Sequence, residues 1–255
     1  MASDLSYVCI SDARAGERRT SMADQFATRG VDVSFFDAFD LTDVFLRLPC
    51  YDRLARMRRY GRPMSRAEVG RYLGHRAVWH QLVHSGQDAL CVMEDDIALL
   101  PGFCAATREL YDARAHWDIV RLTACGKQRQ PAHAHLASGM KLAWSEQPAG
   151  LQCYMVTRAA ARRLLDHTRT IVHAIDVALD RYWEHGQRMY VTHPPFAADA
   201  RTPAEIAGQR LVPTLVQRAK AAYYRKTEAR AADAYNRAHR RTYPVVIDTH
   251  GHTES

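Results

Sequence analysis

The sequence predicts an α/β fold, a sheet with helices on both faces, followed by a basic helical extension. Three observations predict it. Tyr7–Ile10 and Val31–Phe36 are short apolar runs separated by a helical pattern, so the chain opens as a β-α-β unit whose two strands run parallel. Strand and helix patterns then keep alternating, with short connections, as far as Thr192. Finally, the apolar run that begins at Leu90 breaks off into Glu94, Asp95 and Asp96. In open α/β sheets ligands sit beyond the carboxyl ends of the strands, which is where this triplet falls.

The elements follow in order. Ser11-Asp12-Ala13 leads from the first strand into a helix in which Met22, Phe26 and nearby alanines recur at helical spacing, and Gly30 stops it. Residues 40–63 read as irregular and arginine-rich. A capping box, Ser65-Arg66-Ala67-Glu68, starts a helix that runs to Gly86, and the acidic strand follows at once. Pro101 opens another helix, Trp117–Leu122 is a strand, and Gln128–Ser138 is a loop. Leu151–Val156 is a strand, Arg158–Thr168 and Ile175–His185 are helices, and Met189–Thr192 is the last strand. Beyond Pro203 the chain is basic and helical, interrupted by Pro213, and it ends in a polar tail from Thr249 to Ser255. The division expected is a catalytic domain over 1–203 and an extension over 204–255.

Composition narrows the partners. With 255 residues, 47% hydrophobic and 25% charged, the chain is long enough for a substantial core. No apolar stretch approaches the roughly 20 residues that span a bilayer, and Met1–Asp12 lacks a signal-peptide layout, which places the chain in the cytoplasm. The six cysteines include no C-x-x-C pair and read as reduced thiols. The net charge of +7 is concentrated: Arg201–Arg241 holds ten Lys or Arg against Glu205, Glu228 and Asp233, and ten minus three accounts for all of it. That argues for a local anionic partner over a chain-wide nucleic-acid surface. No Gly-x-Gly-x-x-Gly or Gly-x-x-x-x-Gly-Lys motif is present.

The acidic triplet has two readings. Adjacent carboxylates repel and raise one another's pKa unless a cation neutralises them, which points to a divalent metal, with oxygen ligands favouring Mg²⁺ or Mn²⁺ over Zn²⁺. Strand alternation would put Glu94 and Asp96 on one face and Asp95 on the other. The other reading is a solvated acidic turn capped by Asp96. On the preceding helix Glu68, Tyr72, His75 and Trp79 share a face, as functional groups or as hydrogen-bonded core residues. Gly70 and Gly74, which each cost helix stability, suggest close approach of a neighbouring backbone.

The run Glu68-Val69-Gly70-Arg71-Tyr72-Leu73-Gly74-His75-Arg76-Ala77-Val78-Trp79, followed by Val92-Met93-Glu94-Asp95-Asp96, resembles glycosyltransferase family 25, the lipooligosaccharide galactosyltransferase group. That family has a Glu-x-Gly-Cys-x-x-Ser-His-x-x-x-Trp helix and then an apolar strand ending Glu-Asp-Asp. Ile10-Ser11, Glu17-Arg18-Arg19 and Phe35-Phe36-Asp37-Ala38 resemble its opening, and Gly150-Leu151-Gln152-Cys153-Tyr154 its Gly-x-x-Gly-Tyr strand. The resemblance covers residues 7–206. Arg71, Gly74 and Cys153 depart from it, standing where the family has Cys, Ser and Gly.

The resemblance implies a GT-A-like, Rossmann-like sheet, mixed and mainly parallel, and inverting transfer of a hexose from a nucleotide sugar, most often UDP-galactose, to a glycan or lipid-linked acceptor. Mn²⁺ or Mg²⁺ would bridge the donor diphosphate to Asp96 and Glu94, with His193, and also Asp199, as candidates to complete the coordination; His193, followed by two prolines, is equally readable as a rigid surface turn. Asp95 would touch ribose or sugar hydroxyls. Ser11, Asp12, Arg18, Arg19 and Asp37 would hold the nucleotide, joined by His75, Gly150 and Tyr154; for Arg18 and Arg19 the alternative is a pair of solvated helix charges. Asp176 matches the family's Pro-Val-Asp segment as the base, with Asp180 on the same helical face; either is equally readable as an N-terminal helix charge.

The basic 204–241 segment either attracts an anionic membrane surface, with Leu211, Leu215, Val216, Tyr223 and Tyr224 as apolar contacts, or packs as a solvated helix. The first reading puts the chain on the inner face of the cytoplasmic membrane. Competing functions are a metal-dependent nucleotidyl or phosphoryl transferase and a nucleic-acid-binding protein, the latter leaving the triplet without a role.

Overall fold

In the computed structural model, residues 5–41, 46–123, 132–136, 138–145, 150–202 and 214–239 are described. The first strand, β1 (Ser6–Ser11), is followed by helix α1 (Gly16–Ala27) and β2 (Ser34–Asp37), and β1 pairs with β2 in parallel. The second strand starts three residues later than its apolar pattern does. Val31 N–H closes the helix end on Phe26 C=O at 3.2 Å, so the residues after Gly30 are spent turning out of α1.

Within the stretch read as irregular, a helix forms, α2 (Arg53–Tyr60). Its four arginines leave no apolar stripe, but Asp52 accepts from Ala55 N at the start and Gly61 takes a left-handed φ of 69° at the end. Helix α3 (Arg66–His84) has the capping box in full, Ser65 accepting from Glu68 N while the Glu68 carboxylate accepts from Ser65 N.

The remaining strands are β3 (Ala89–Glu94), β4 (Ile97–Leu99), β5 (Ile119–Arg121), β6 (Ala132–His135), β7 (Lys141–Trp144), β8 (Cys153–Thr157), β9 (Met189–His193) and β10 (Ala197–Asp199). The remaining helices are α4 (Phe103–Asp112), α5 (Arg158–His167), α6 (Ile175–Asp180), α7 (Tyr182–His185) and α8 (Leu215–His239). The loop expected over Gln128–Ser138 instead contains β6, which folds back on β7 through Gly139, whose φ is 83°. The single helix expected over Ile175–His185 breaks at Arg181, where ψ leaves the helical range. Pro213 and the tail from Thr249 lie outside the described residues.

The main sheet has the order β2-β1-β3-β8-β5-β9-β7-β6, and a small second sheet pairs β4 with β10. In the main sheet β2, β1, β3, β5, β9 and β6 run one way, and β8 and β7 the other. This is the mixed, mainly parallel sheet expected. Helices cover both faces. On one, Tyr7 of β1 meets Phe26 of α1 and Phe103 of α4 with ring centroids 5.3–6.0 Å apart. On the other, α3 packs against α5 and lies over Ile10, whose Cγ2 would sit 3.3 Å from a Cβ at Gly74. Strand β3 is buried at every position but Glu94, so burial fixes its register and delivers the triplet to the sheet edge. Cys9, Cys50, Cys91, Cys104 and Cys153 are free thiols.

Candidate active site

Strands β1, β2 and β3 all end on one rim, with Ser11 beside Asp37 and Ile10 beside Glu94. A cleft of about 430 Å³ opens there, within the range of small-molecule sites, and Ser11, Asp12, Arg18, Phe39, Arg66, Gly70, Arg71 and the triplet line it. The three carboxylates point to three different neighbours. Because β3 ends at Glu94 and the chain turns, the simple alternation that paired Glu94 with Asp96 does not hold.

Glu94 turns toward α3. Its Oε1 accepts from Arg71 Nε and from His75 Nε2, the latter at 3.1 Å. Burial alone would raise its pKa, yet Arg71 and His75 hold it below the usual glutamate range. His75 is fully buried and burial keeps its imidazole neutral. A carboxylate only accepts, so Nε2 carries the proton and Nδ1 must accept from Tyr154 OH at 2.9 Å, while that hydroxyl accepts from Trp79 Nε1 at 2.9 Å. The His75–Trp79 face therefore forms a relay behind Glu94. His75 and Tyr154, expected as nucleotide-sugar contacts, sit one layer below the cleft and orient the carboxylate.

Asp95 turns toward β1 and α1. Ser11 Oγ donates to Asp95 Oδ2 at 2.6 Å, and Arg18 Nη1 lies 3.5 Å from Oδ1. Arg19 braces the two strand ends, its Nη2 donating to Ser11 C=O at 2.9 Å and to Asp37 Oδ1 at 2.5 Å, with its guanidinium 5.3 Å from the centroid of Phe35. Asp12 chelates Arg14 through both oxygens, which holds its pKa down to about 2. Of the expected nucleotide residues, Ser11, Asp12 and Arg18 thus line the cleft, while Arg19 and the exposed Asp37 lie outside its lining and tie the ends of β1 and β2 together. Gly150 adopts a φ of 71°, a turn geometry that leads into Leu151 and β8.

Asp96 turns toward the loop after β10. Arg201 Nε lies 3.4 Å from Oδ2, while Oδ1 is buried with no hydrogen-bond partner among the described residues. Burial, reinforced by the Glu94 charge, pushes the Asp96 pKa up to about 6. The β4–β10 pairing brings Asp199 opposite Ile97, next to Asp96, and Arg201 holds the Asp199 pKa down to about 2. His193 does not join them. It ends β9 opposite Lys141, and among the described residues no three His, Cys, Asp or Glu side chains converge as a metal-holding group. Asp96 Oδ1 is an oxygen available to a hard cation, whereas Glu94 Oε1 is already committed to the Arg71 guanidinium and to the Nε2–H of the neutral His75.

The two candidate bases separate. Asp176 is half-buried at the start of α6, near enough to Arg71 and His75 for its charge to act on both. Asp180, one turn on, is largely buried, its side chain 19% exposed, and lies 2.6 Å from Arg121 Nη2, so its carboxylate is a structural counterion.

Arg71 and Arg201 are the site residues that sequence reasoning passed over, the one as a departure from the family pattern and the other as a unit of charge. Gly70 has the close approach its helix position suggested: a Cβ there would lie 2.8 Å from Phe39 C=O. Gly70→Ala is expected to shift the Phe39–Leu41 wall and cost about 1–3 kcal/mol, read by urea unfolding, with weaker nucleotide binding. Unchanged stability and affinity would show that the wall yields freely.

A family model described as glycosyltransferase family 25 (LPS biosynthesis protein) matches residues 6–179, which takes in every strand end of this cleft. The chain belongs to glycosyltransferase family 25. It is 36% identical over 123 residues to an Aedes aegypti "Glycosyltransferase 25 family member", covering 44% of this chain and 20% of that protein. An Anopheles gambiae protein of the same name is 36% identical over 129 residues, covering 46% and 21%. A Bos taurus "Probable inactive glycosyltransferase 25 family member 3" is 27% identical over 110 residues, covering 41% and 18%. The matches thus span about a fifth of these relatives. Among solved structures, a glycosyltransferase involved in glycosylation of the major capsid of PBCV-1 aligns at TM-score 0.40 and 10% identity, covering 80% of this chain and all of that one. The glycosyltransferase GlyE of Streptococcus pneumoniae TIGR4 aligns at 0.41 and 10%, covering 90% and 62%. Likeness at this level transfers no residue roles to the family 25 site.

Proposed function

We propose that this family 25 domain transfers a hexose with inversion from a nucleotide sugar, UDP-galactose in the first instance, to a hydroxyl of a glycan or lipid-linked oligosaccharide. The observation that supports it best is the cleft itself, where Arg18, Arg71 and Arg201 each face one carboxylate and one oxygen of Asp96 is left unsatisfied. Mn²⁺ or Mg²⁺ is part of the proposal. Such ions are commonly held by one or two carboxylates together with substrate phosphates, and Asp96 is the residue suited to that role here. The ion, when bound, would neutralise charge on the departing diphosphate.

The chain's own residues supply the rest. Arg18, at the cleft mouth, pairs with the donor phosphates, and Asp95 and Ser11 Oγ, whose own proton is held by Asp95, accept from hydroxyls of the ribose or hexose. The His75 relay and Arg71 keep Glu94 ionised and fixed, giving the sugar a rigid negative wall. Asp176 takes the proton of the acceptor hydroxyl as its oxygen bonds to the anomeric carbon and the bond from that carbon to UDP breaks.

The test is a panel of nucleotide sugars with Mn²⁺, read as nucleotide release with and without glycan acceptors. UDP as product is expected; release of hexose 1-phosphate, with the uridylyl group carried to the acceptor, would mean nucleotidyl transfer instead. Asp176→Asn is expected to lower kcat by about 10²–10³ while the donor KM changes little. Wild-type kcat in that variant would remove Asp176 as base, and failure of every nucleotide sugar to bind would sink the transferase reading.

A further inference from the structure

The inner face of α8 is fully committed. Gln217 Nε2 donates to Gly61 C=O at 3.4 Å, Lys220 Nζ donates to Met57 C=O at 3.2 Å, and Tyr224 lies under Arg59 with the guanidinium 4.3 Å from its centroid. Glu228 pairs with both Arg59 and Arg181, and Asn236 accepts from Trp144 Nε1 and donates to Tyr182 OH. Tyr224, expected as an outward apolar contact, is therefore part of the packing, and Leu211 lies outside the described residues.

These contacts decide what faces out. Leu215 is 81% exposed, Val216 64%, Tyr223 66%, and on the adjacent α2 Leu54 is 70% exposed with Met57 beside it. Of the seven large hydrophobic residues exposed among the described residues, five lie on these two packed helices, the grouping that marks an interaction surface and not scattered surface apolarity. Arg53, Arg58, Arg218, Arg225 and Lys226 are interleaved with them and also exposed. Acids are few among them: α2 and Leu215–Thr227 contain none, Glu228 is turned inward between two arginines, and the exposed acid at this surface is Asp52, which caps α2.

We propose that α2 and the first half of α8 form a docking surface for an anionic bilayer. Aliphatic side chains interspersed with long cations suit a soft headgroup layer: the apolar ends enter it and the guanidinium and ammonium groups reach the phosphates. Each such cation adds about 1 kcal/mol near an anionic surface. No helix among the described residues is long and apolar enough to cross a membrane. From Gly61 the chain runs directly to Arg66 and Ala67 of the cleft wall, so docking would hold the cleft near the membrane. This deepens the acceptor reading above toward lipid-linked glycans.

The experiment is co-sedimentation of the full chain with vesicles of phosphatidylcholine alone or mixed with phosphatidylglycerol, over a salt series. Binding to the anionic vesicles only, weakening with salt, is expected. Leu54→Ser/Val216→Ser is expected to weaken it about tenfold or more, and Arg218→Ala/Arg225→Ala to weaken it and flatten its salt dependence, with melting temperatures unchanged because all four side chains are exposed. No binding to anionic vesicles, or binding that neither pair alters, overturns the proposal. So does loss, in the same variants, of a lipid-free dimer that itself ignores vesicles. Nucleotide-sugar binding in solution is measured separately, so failure at the membrane leaves the donor reading intact, and the reverse.

Discussion

Asp96→Asn is expected to abolish sugar transfer while making the ligand-free protein more stable at neutral and alkaline pH. The carboxyl is buried beside Glu94, and the folded protein raises its pKa from the usual 3.8 to about 6. Folding therefore binds the Asp96 proton more tightly than the unfolded chain does. The cost of ionising it is absent below about pH 4, grows as pH rises, and is complete above about pH 6. At about 1.4 kcal/mol per pKa unit, that cost is on the order of 2–3 kcal/mol, with Arg201 already counted in the shift. Asparagine keeps the shape and carries no charge. Urea unfolding should thus show the variant more stable than wild type at pH 8 and equal to it near pH 4, while activity falls by about 10² or more. A variant less stable than wild type at pH 8 would mean that Arg201 more than offsets the burial, and full activity would remove Asp96 from the site.

Periodicity and caps made most of this architecture legible. The parallel opening, the capped α3 and the buried β3 each state their conformation locally, and the triplet's place at a strand end followed from them. What escaped was of two kinds. β4 and β10 are three residues each, too short for alternation to register, and α2 has an arginine-rich face in place of an apolar stripe, although Asp52 and Gly61 marked its ends. The second kind is tertiary. The partners of the three carboxylates come from α1, α3 and the loop after β10, far apart in sequence, so no local pattern says that Glu94 is satisfied internally while one oxygen of Asp96 is not. The same blindness set His75 and Tyr154 against the ligand. Residue type identified them as polar groups near the triplet; only packing shows that they stand behind it.

Arg121→Met is expected to cost more stability than a substitution at any exposed arginine. Arg121 is fully buried on β5, donating to Ser145 Oγ at 3.3 Å and lying 2.6 Å from Asp180. Burial pushes the Asp180 pKa up and Arg121 opposes that rise, so removing the guanidinium leaves a buried carboxylate with no counterion. Breaking such a pair from one side costs about 3–5 kcal/mol, because the remaining charge stays desolvated. The loss should shrink in acid: with its partner gone, the folded Asp180 pKa rises further, so the destabilisation is small when Asp180 is protonated and grows with pH. Arg121→Met/Asp180→Leu removes both charges and is expected to recover most of the loss, a coupling that a double-mutant cycle by urea unfolding measures directly. Asp176 sits one turn away on the same short helix, so the pair that anchors α6 also sets where the proposed base points. The stable double variant is therefore expected to keep its donor KM and to lose kcat about tenfold. If the double variant is as unstable as Arg121→Met alone, the cost lies in side-chain shape and not in an unpaired charge.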